Sequence, residues 1–342
     1  MRPLLRSRSS ICAGSSSPGA GVGARAFALL LFASLAAAAT PLSPLAPSPA
    51  FTPASASAAA PLCHPASPTP TSLSEEELVA RLQPAWDSVV DAARAFLAGP
   101  PKLAASSMAL SFTLGNRTLF QSFVGLKNAS DPASAPDADT VCRLGSVTKL
   151  FPAMMALAAG ERGKLPSGLE STLRELDGDF SIPDWGGRAS PGPSVRSVLY
   201  LQMGGLPREA PFAYGAAMSN AEALRQIASD LWMIAPPWSV PSYSNLGFAL
   251  LGNLVPLLLG AANFSDALQA EVAVPMNLSS LGTSYPAAIR RRMPVPYAAP
   301  GVAGQLLRFG WVGPRAGNAR VSLRDMDTLT RAVLGALGAG GG

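Results

Sequence analysis

The run Leu246 to Leu259, "LGFALLGNLVPLLL", constrains the fold of this 342-residue chain more than any other stretch. A helix that is apolar on every side must be covered on every side. At 14 residues it is shorter than the about 20 needed to cross a bilayer. Asn253 and Pro256 add a polar and a helix-breaking position, so the run is read as the buried helix of a globular core. A composition of 48% hydrophobic and 14% charged residues supplies enough apolar surface to wrap it.

The surrounding chain reads as one hairpin followed by helices. "SEEELVARLQPAWDSVVDAARAFLAG" opens with a capping-box pattern, Ser74 and Glu77. It places Leu78, Leu82, Trp86, Val89, Ala93 and Phe96 on one helical face, with a kink expected at Pro84. "MALSFTLGNRTLFQSFVGL" reads as two antiparallel strands around the Gly115-Asn116 turn. An apolar helix is expected after Ser146 as far as about Glu161, another from Ala221 to Trp232 behind Asn220, and a last one from Ser322 to Leu337. Met154 and Met155 are expected in the core, as packing residues. Nothing after residue 322 reads as a strand, and a two-stranded sheet by itself is marginal.

The N-terminal part has a different character. Residues 1–39 combine Arg2, Arg6, Arg8 and Arg25, no acid, and the apolar run "AFALLLFASLAAAA", which is the pattern of a signal peptide or signal anchor. An organellar transit peptide, mitochondrial or plastid, is the alternative. Four N-x-S/T sequons, at Asn116, Asn128, Asn263 and Asn277, favour export and glycosylation, giving a secreted or luminal protein. A membrane partner is expected only if the leader is kept as an anchor. Residues 40–74 carry nine prolines among Ser, Thr and Ala and read as a linker. Residues 75–337 form the folded domain. With the four leader arginines set aside, 22 Lys plus Arg face 21 Asp plus Glu, a net charge of +1, which removes the case for a nucleic-acid partner. Cys63 and Cys142 are the cysteines left outside the leader, either a disulfide pair or two free thiols.

The one histidine, His64, lies in the linker, so a Ser-His-Asp triad and a His-ligated metal centre are not expected. No metal or other cofactor is expected. A serine nucleophile here needs a different base, and a buried lysine can serve because burial favours its neutral form. In "RLGSVTKLFP" Ser146 and Lys149 stand three residues apart, on one face of a helix start. Gly145 is expected to allow close backbone approach, and the helix N-terminus favours an oxyanion. A capping serine with a solvated lysine is the plain alternative. In "PSYSNLGFALLG" Tyr243 and Asn245 flank Ser244, a phenol and an amide projecting from one loop.

Taken together, S-x-x-K and Y-x-N about a hundred residues apart resemble the serine beta-lactamase and penicillin-binding-protein superfamily. The resemblance is to its class C-related branch and the eukaryotic beta-lactamase-like proteins within it. It extends through "CRLGSVTKLFPAMMALAAGERGKL", "VRSVLYLQMGGLPREAP", "PSYSNLGFALLGNLV", "VAVPMNLSSLGTSY" and "FGWVGPRAGNARVSLRDMDTL". It implies an α/β (α+β) fold of the beta-lactamase/transpeptidase type, an antiparallel sheet beside a helical domain. It also implies roles: Ser146 the acylated nucleophile, Lys149 its base, Tyr243 a proton relay, Asn245 a contact to a substrate amide, the Ser146 N–H half of an oxyanion hole. The expected function is a serine hydrolase acting on a small-molecule or peptide amide or ester.

The chain departs from that pattern in one large respect. The family's Lys-Thr-Gly or His-x-Gly strand has no counterpart after Tyr243, so the C-terminal strands are expected to be missing. A catalytically inactive binding or assembly protein, and a truncated gene product, are the alternatives that this absence raises. Arg290 to Arg292 is read as a solvated run, Trp185, Trp232, Trp238 and Trp311 as packing residues, and Trp238 and Phe212 also as candidates for lining the cleft.

Overall fold

A computed structural model describes residues 73–99, 106–200, 202–210, 218–295, 297–299, 302–303 and 316–339. The expected leader, nearly all of the linker, Cys63, His64, Phe212 and Trp311 lie outside the described residues.

Helix α1 (Glu75–Ala98) starts at the expected capping box: Ser74 Oγ accepts from the Glu77 amide, and Glu77 accepts from the Ser74 amide in return. Pro84 stands inside the helix. Its apolar face is turned slightly from the expected one. Val90 is 6% exposed and Val89 47%, and Leu97 packs inward with Ala93 and Trp86. From Trp86 the steps i+4, i+7 and i+11 stay within about 40° of one line, whereas Val89 falls outside it.

The hairpin forms as expected, β1 (Ser107–Leu114) against β2 (Arg117–Gly125), with Phe112 opposite Phe120 and a bulge after Phe112. Gly115, at φ +56°, supplies the left-handed residue of the two-residue turn. Trp86 stacks on Phe120 at 5.4 Å and donates its indole N–H to Ser122 Oγ, which joins α1 to the hairpin.

Strand β3 (Val141–Arg143) leads through a 3-10 turn, Gly145–Lys149, into α2 (Leu150–Glu161). Short elements follow: α3 (Leu173–Leu176), the pair β4 (Ile182–Pro183) and β5 (Ala189–Ser190), and α4 (Val195–Leu199). Helix α5 is Asn220–Asp230, capped by Ser219 through a Ser-Glu capping box, so the cap is one residue earlier than expected and Trp232 lies beyond the helix. Helix α6 (Asn245–Leu258) is the expected apolar helix. Then come α7 (Phe264–Leu268), a π turn at Gln269–Ala273, α8 (Ala287–Arg290) and the pair β6 (Tyr297–Ala299) and β7 (Val302–Ala303). Strand β8 (Arg320–Ser322) and α9 (Leu323–Ala339) complete the order.

Strand β8 was not anticipated. Three residues are too few to show a period-2 pattern. Antiparallel pairing with β3, Cys142 opposite Val321, makes it a strand. The described sheet structure consists of four separate two-stranded antiparallel pairings.

The main core gathers around α6. Leu246, Ala249, Leu250, Leu251 and Val255 are fully buried, and from α2 Phe151, Met155, Ala156 and Ala159 pack in the same cluster. Met154 is partly buried beside them, so both methionines pack as expected. Asn253 donates its side-chain amide to the Ala249 carbonyl one turn back, while its Oδ1 is buried without a partner. Trp185, Trp232 and Trp238 are solvent-exposed rather than packed, a correction to the sequence expectation. Arg290 and Arg291 are solvated as expected, but Arg292 donates to the Asp139 carbonyl. No helix among the described residues is long and apolar enough to cross a membrane.

Candidate active site

Ser146 and Lys149 occupy the 3-10 turn ahead of α2. Gly145 precedes them at φ +51°, and a Cβ added there would meet no atom within 4 Å. This glycine therefore supplies a left-handed backbone conformation rather than the close approach expected from the sequence. The turn is tied to the β8 segment: the Leu144 amide donates to the Ala319 carbonyl (2.9 Å), and the Ala319 amide donates to Thr148 Oγ1 (3.0 Å).

Tyr243 and Asn245 reach the same place from the start of α6. Ser244 between them is the N-cap: its hydroxyl accepts from the Gly247 amide at 3.0 Å and donates to the Pro207 carbonyl at 2.6 Å. The Ser244 amide donates to Gln202 Oε1 at 2.6 Å and the Asn245 amide to the Arg208 carbonyl at 2.8 Å. The loop 202–209 and the start of α6 are thus laced together. Gly205, at φ +66°, lets the same loop pass close to the backbone at Ala235 and Pro236, because a Cβ there would lie 2.1 Å from the Ala235 carbonyl oxygen.

All four expected residues meet at Lys149. Its Nζ lies 3.2 Å from Ser146 Oγ, 2.7 Å from Tyr243 OH, 2.6 Å from Asn245 Oδ1 and 2.8 Å from the Ala316 carbonyl. The Tyr243 hydroxyl also donates to Ser146 Oγ. Lys149 is only 7% exposed, and burial pushes its pKa below 10.5; Tyr243 and the Glu209 charge oppose this fall, and Arg208 adds to it. An ammonium has three N–H groups for these four acceptors. A neutral amine has two, and Asn245 Oδ1 and the Ala316 carbonyl, which can only accept, take both. The Tyr243 proton goes to Ser146 Oγ, so the Ser146 hydroxyl is the one left to donate to the lone pair, which is the geometry of a base toward Ser146.

Two contributors were not singled out from the sequence. Ala316 acts through a main-chain carbonyl, which leaves no side-chain signature. Glu209 accepts from Asn245 Nδ2 at 2.7 Å and stands 3.4 Å from the Arg208 guanidinium, which lies over the Tyr243 ring at 4.9 Å. The adjacent opposite charges after "GGLP" were its available signal. No Lys-Thr-Gly or His-x-Gly segment follows Tyr243, and the backbone of Ala316 to Ala319 lies against the turn instead. Trp238 meets the Tyr200 ring at 5.8 Å.

The remaining expected sites lie elsewhere. Asn116, Asn263 and Asn277 are exposed and Asn128 is half-buried. Asn263 caps α7 and Asn277 adopts φ +55°. Cys142 is a free thiol on β3, while its suggested partner lies outside the described residues. No group of three or more His, Cys, Asp or Glu among the described residues is placed to hold a metal ion.

Comparison with known proteins bears on family and fold. Residues 86–341 match the family model described as Beta-lactamase. A human beta-lactamase-like 1 protein is 26% identical over 258 residues, which is 74% of this chain and 50% of that protein. Beta-lactamase-like protein 2 of Dictyostelium discoideum is 27% identical over 168 residues, 47% of this chain and 30% of that protein. The chain therefore spans half or less of these two relatives. Among solved structures, a beta-lactamase/D-alanine carboxypeptidase from Yersinia pestis, complexed with citrate, superposes with a TM-score of 0.58 at 18% identity, covering 73% of this chain and 68% of that one. A beta-lactamase from Sulfitobacter sp. EE-36 gives 0.53 at 23% identity, covering 75% and 64%. At these identities the structures speak to fold.

Proposed function

Because this chain belongs to the beta-lactamase family, we propose that it is a serine hydrolase that cleaves a small-molecule or peptide amide or ester through an acyl-enzyme. The observation that carries the proposal is the convergence on Lys149 Nζ of Ser146 Oγ, Tyr243 OH and Asn245 Oδ1, the last two from residues 94 and 96 positions away.

The neutral Lys149 amine takes the Ser146 proton as Oγ forms a bond to the substrate carbonyl carbon. Asn245 Oδ1 and the Ala316 carbonyl hold the amine N–H groups so that its lone pair points at the hydroxyl. The Tyr243 hydroxyl, bonded to both Ser146 and Lys149, is placed to pass a proton to the departing amine or alkoxide. Water then attacks the ester on Ser146, and the same groups return the proton to Oγ. The nucleophile needs the neutral amine, so the rate rises as pH increases through the lowered Lys149 pKa.

Covalent labelling by a fluorophosphonate or penicillin probe tests the proposal. Wild type is expected to be labelled and Ser146→Ala not; a folded wild type that takes no label sinks the enzyme and leaves the binding-protein alternative. The same proposal has residues 1–39 direct export, with the exposed asparagines Asn116, Asn263 and Asn277 carrying glycans. A mass loss on endoglycosidase treatment of protein made in a eukaryotic secretory host is expected, and an unchanged mass would remove the glycosylation.

A further inference from the structure

We infer that Glu209 is a positioning residue for the Ser146–Lys149 pair: its carboxylate fixes the orientation of the Asn245 amide and supplies the negative charge that Lys149 works against. The first half stands on geometry. The Asn245 side chain sits between Glu209 and Lys149, with Nδ2 at 2.7 Å from Glu209 Oε1 and Oδ1 at 2.6 Å from Lys149 Nζ. An ionised carboxylate only accepts hydrogen bonds and an ammonium only donates them. One amide orientation satisfies both neighbours; the flipped one sets acceptor against acceptor and donor against donor. Once Lys149 has lost its proton and could accept as well as donate, Glu209 is the neighbour that keeps the amide oxygen toward the amine, and through it sets where the lone pair points. The loop is held to this task by the Asn245 amide bond to the Arg208 carbonyl, next to Glu209 in sequence.

The second half concerns charge. The titratable and charged groups acting on Lys149 are Tyr243, Glu209 and Arg208, beside the uncharged Ser146, Asn245 and Ala316 carbonyl. Glu209 is the carboxylate among them, and it favours the protonated amine while burial and Arg208 favour the neutral one. Its ion pair with Arg208 at 3.4 Å keeps it ordered, and Arg208 in turn covers the Tyr243 ring. Two adjacent residues thus brace the two side chains on either side of Ser244. An ion pair formed for stability alone would need neither contact.

The kinetic arm of the test rests on the acyl-transfer proposal above; the titration arm does not. Wild type, Glu209→Gln and Glu209→Ala are compared, with Lys149 titrated by NMR of ¹³Cε-lysine, which is practical because the chain has four lysines. Both substitutions remove the charge and are expected to move the Lys149 midpoint to lower pH. A glutamine can still accept from Asn245 Nδ2 and an alanine cannot. Fluorophosphonate labelling at the high-pH plateau should therefore be about two- to tenfold slower in Glu209→Ala than in Glu209→Gln, the loss typical of one neutral hydrogen bond. An unmoved Lys149 midpoint in Glu209→Gln overturns the charge role, and equal plateau rates in the two variants overturn the orienting role. If wild type takes no label, the acyl-transfer proposal fails while the Lys149 midpoint still decides for or against Glu209.

Discussion

The layer made by α1 and the hairpin is held by few buried residues, Val90, Ala93, Val124 and Phe120, with Trp86, Leu97, Met108 and Leu110 partly buried around them. The cluster around α6 has Leu246, Ala249, Leu250, Leu251 and Val255 fully buried, with Phe151 and Met155 of α2 against them. The second region also carries the site. Ser146 and Lys149 stand at the entry to α2, and Tyr243 and Asn245 at the entry to α6. Two helices that pack tightly along their length hold their first turns at a fixed separation. The geometry around Lys149 is thus a by-product of a large core, and no hairpin residue is among the described hydrogen-bond partners of Lys149, although the hairpin meets α9 through Gln121 and Asp327.

Breaking the large core should have the greatest effect. Leu250→Ala removes a fully buried side chain from the middle of α6 and is expected to cost about 2–5 kcal/mol in chemical denaturation. It should also slow probe labelling, because the α6 entry moves with the helix. In the thin layer, Val124→Ala should cost about 1.6 kcal/mol, two methylene equivalents, and leave the labelling rate of the folded protein unchanged. Equal effects of the two substitutions on labelling would dissolve the contrast between the regions.

Gly145→Ala makes a smaller and more local change. The added methyl meets nothing, so the expected cost is that of a left-handed residue, about 1–2 kcal/mol, measured by denaturant midpoint. A much larger loss would mean that the turn is packed more tightly than its surroundings show.

The most subtle expectation concerns pH. Folded Lys149 binds its proton less tightly than the unfolded chain does, so below 10.5 and above its lowered value the unfolded state holds more protons. Stability therefore rises with pH across that window, and below it the full penalty of a buried charge is present. Measured against Lys149→Met, which has no such charge, the wild type should gain unfolding free energy as pH is raised toward 10.5. A difference between the two proteins that stays flat with pH would contradict a depressed Lys149.

Much of this was legible in the chain. The hairpin turn, the capping box at Ser74, the buried helix after Asn245 and the S-x-x-K and Y-x-N pairs depend on local spacing, and local spacing is written in sequence. The misses share one cause. Val90 rather than Val89 faces inward because the hairpin, a separate element, chooses the line along α1 that is covered. Strand β8 exists because β3 offers it a partner. The exposed tryptophans differ from the packing that residue type alone suggests, because residue type carries no information about neighbours.

What the sequence by itself determined is the set of chemically competent residues: a serine and a lysine one helical turn apart, a tyrosine and an asparagine flanking a helix cap, and no histidine outside the linker. Whether Lys149 is solvated or enclosed by four acceptors was decided only in three dimensions. Its environment is assembled from the 3-10 turn, the start of α6, the Ala316 carbonyl and, through Asn245, Glu209. Distances between segments a hundred residues apart are set by how their cores pack, and a main-chain carbonyl such as that of Ala316 is present at every position and distinguished by none until the fold points it somewhere.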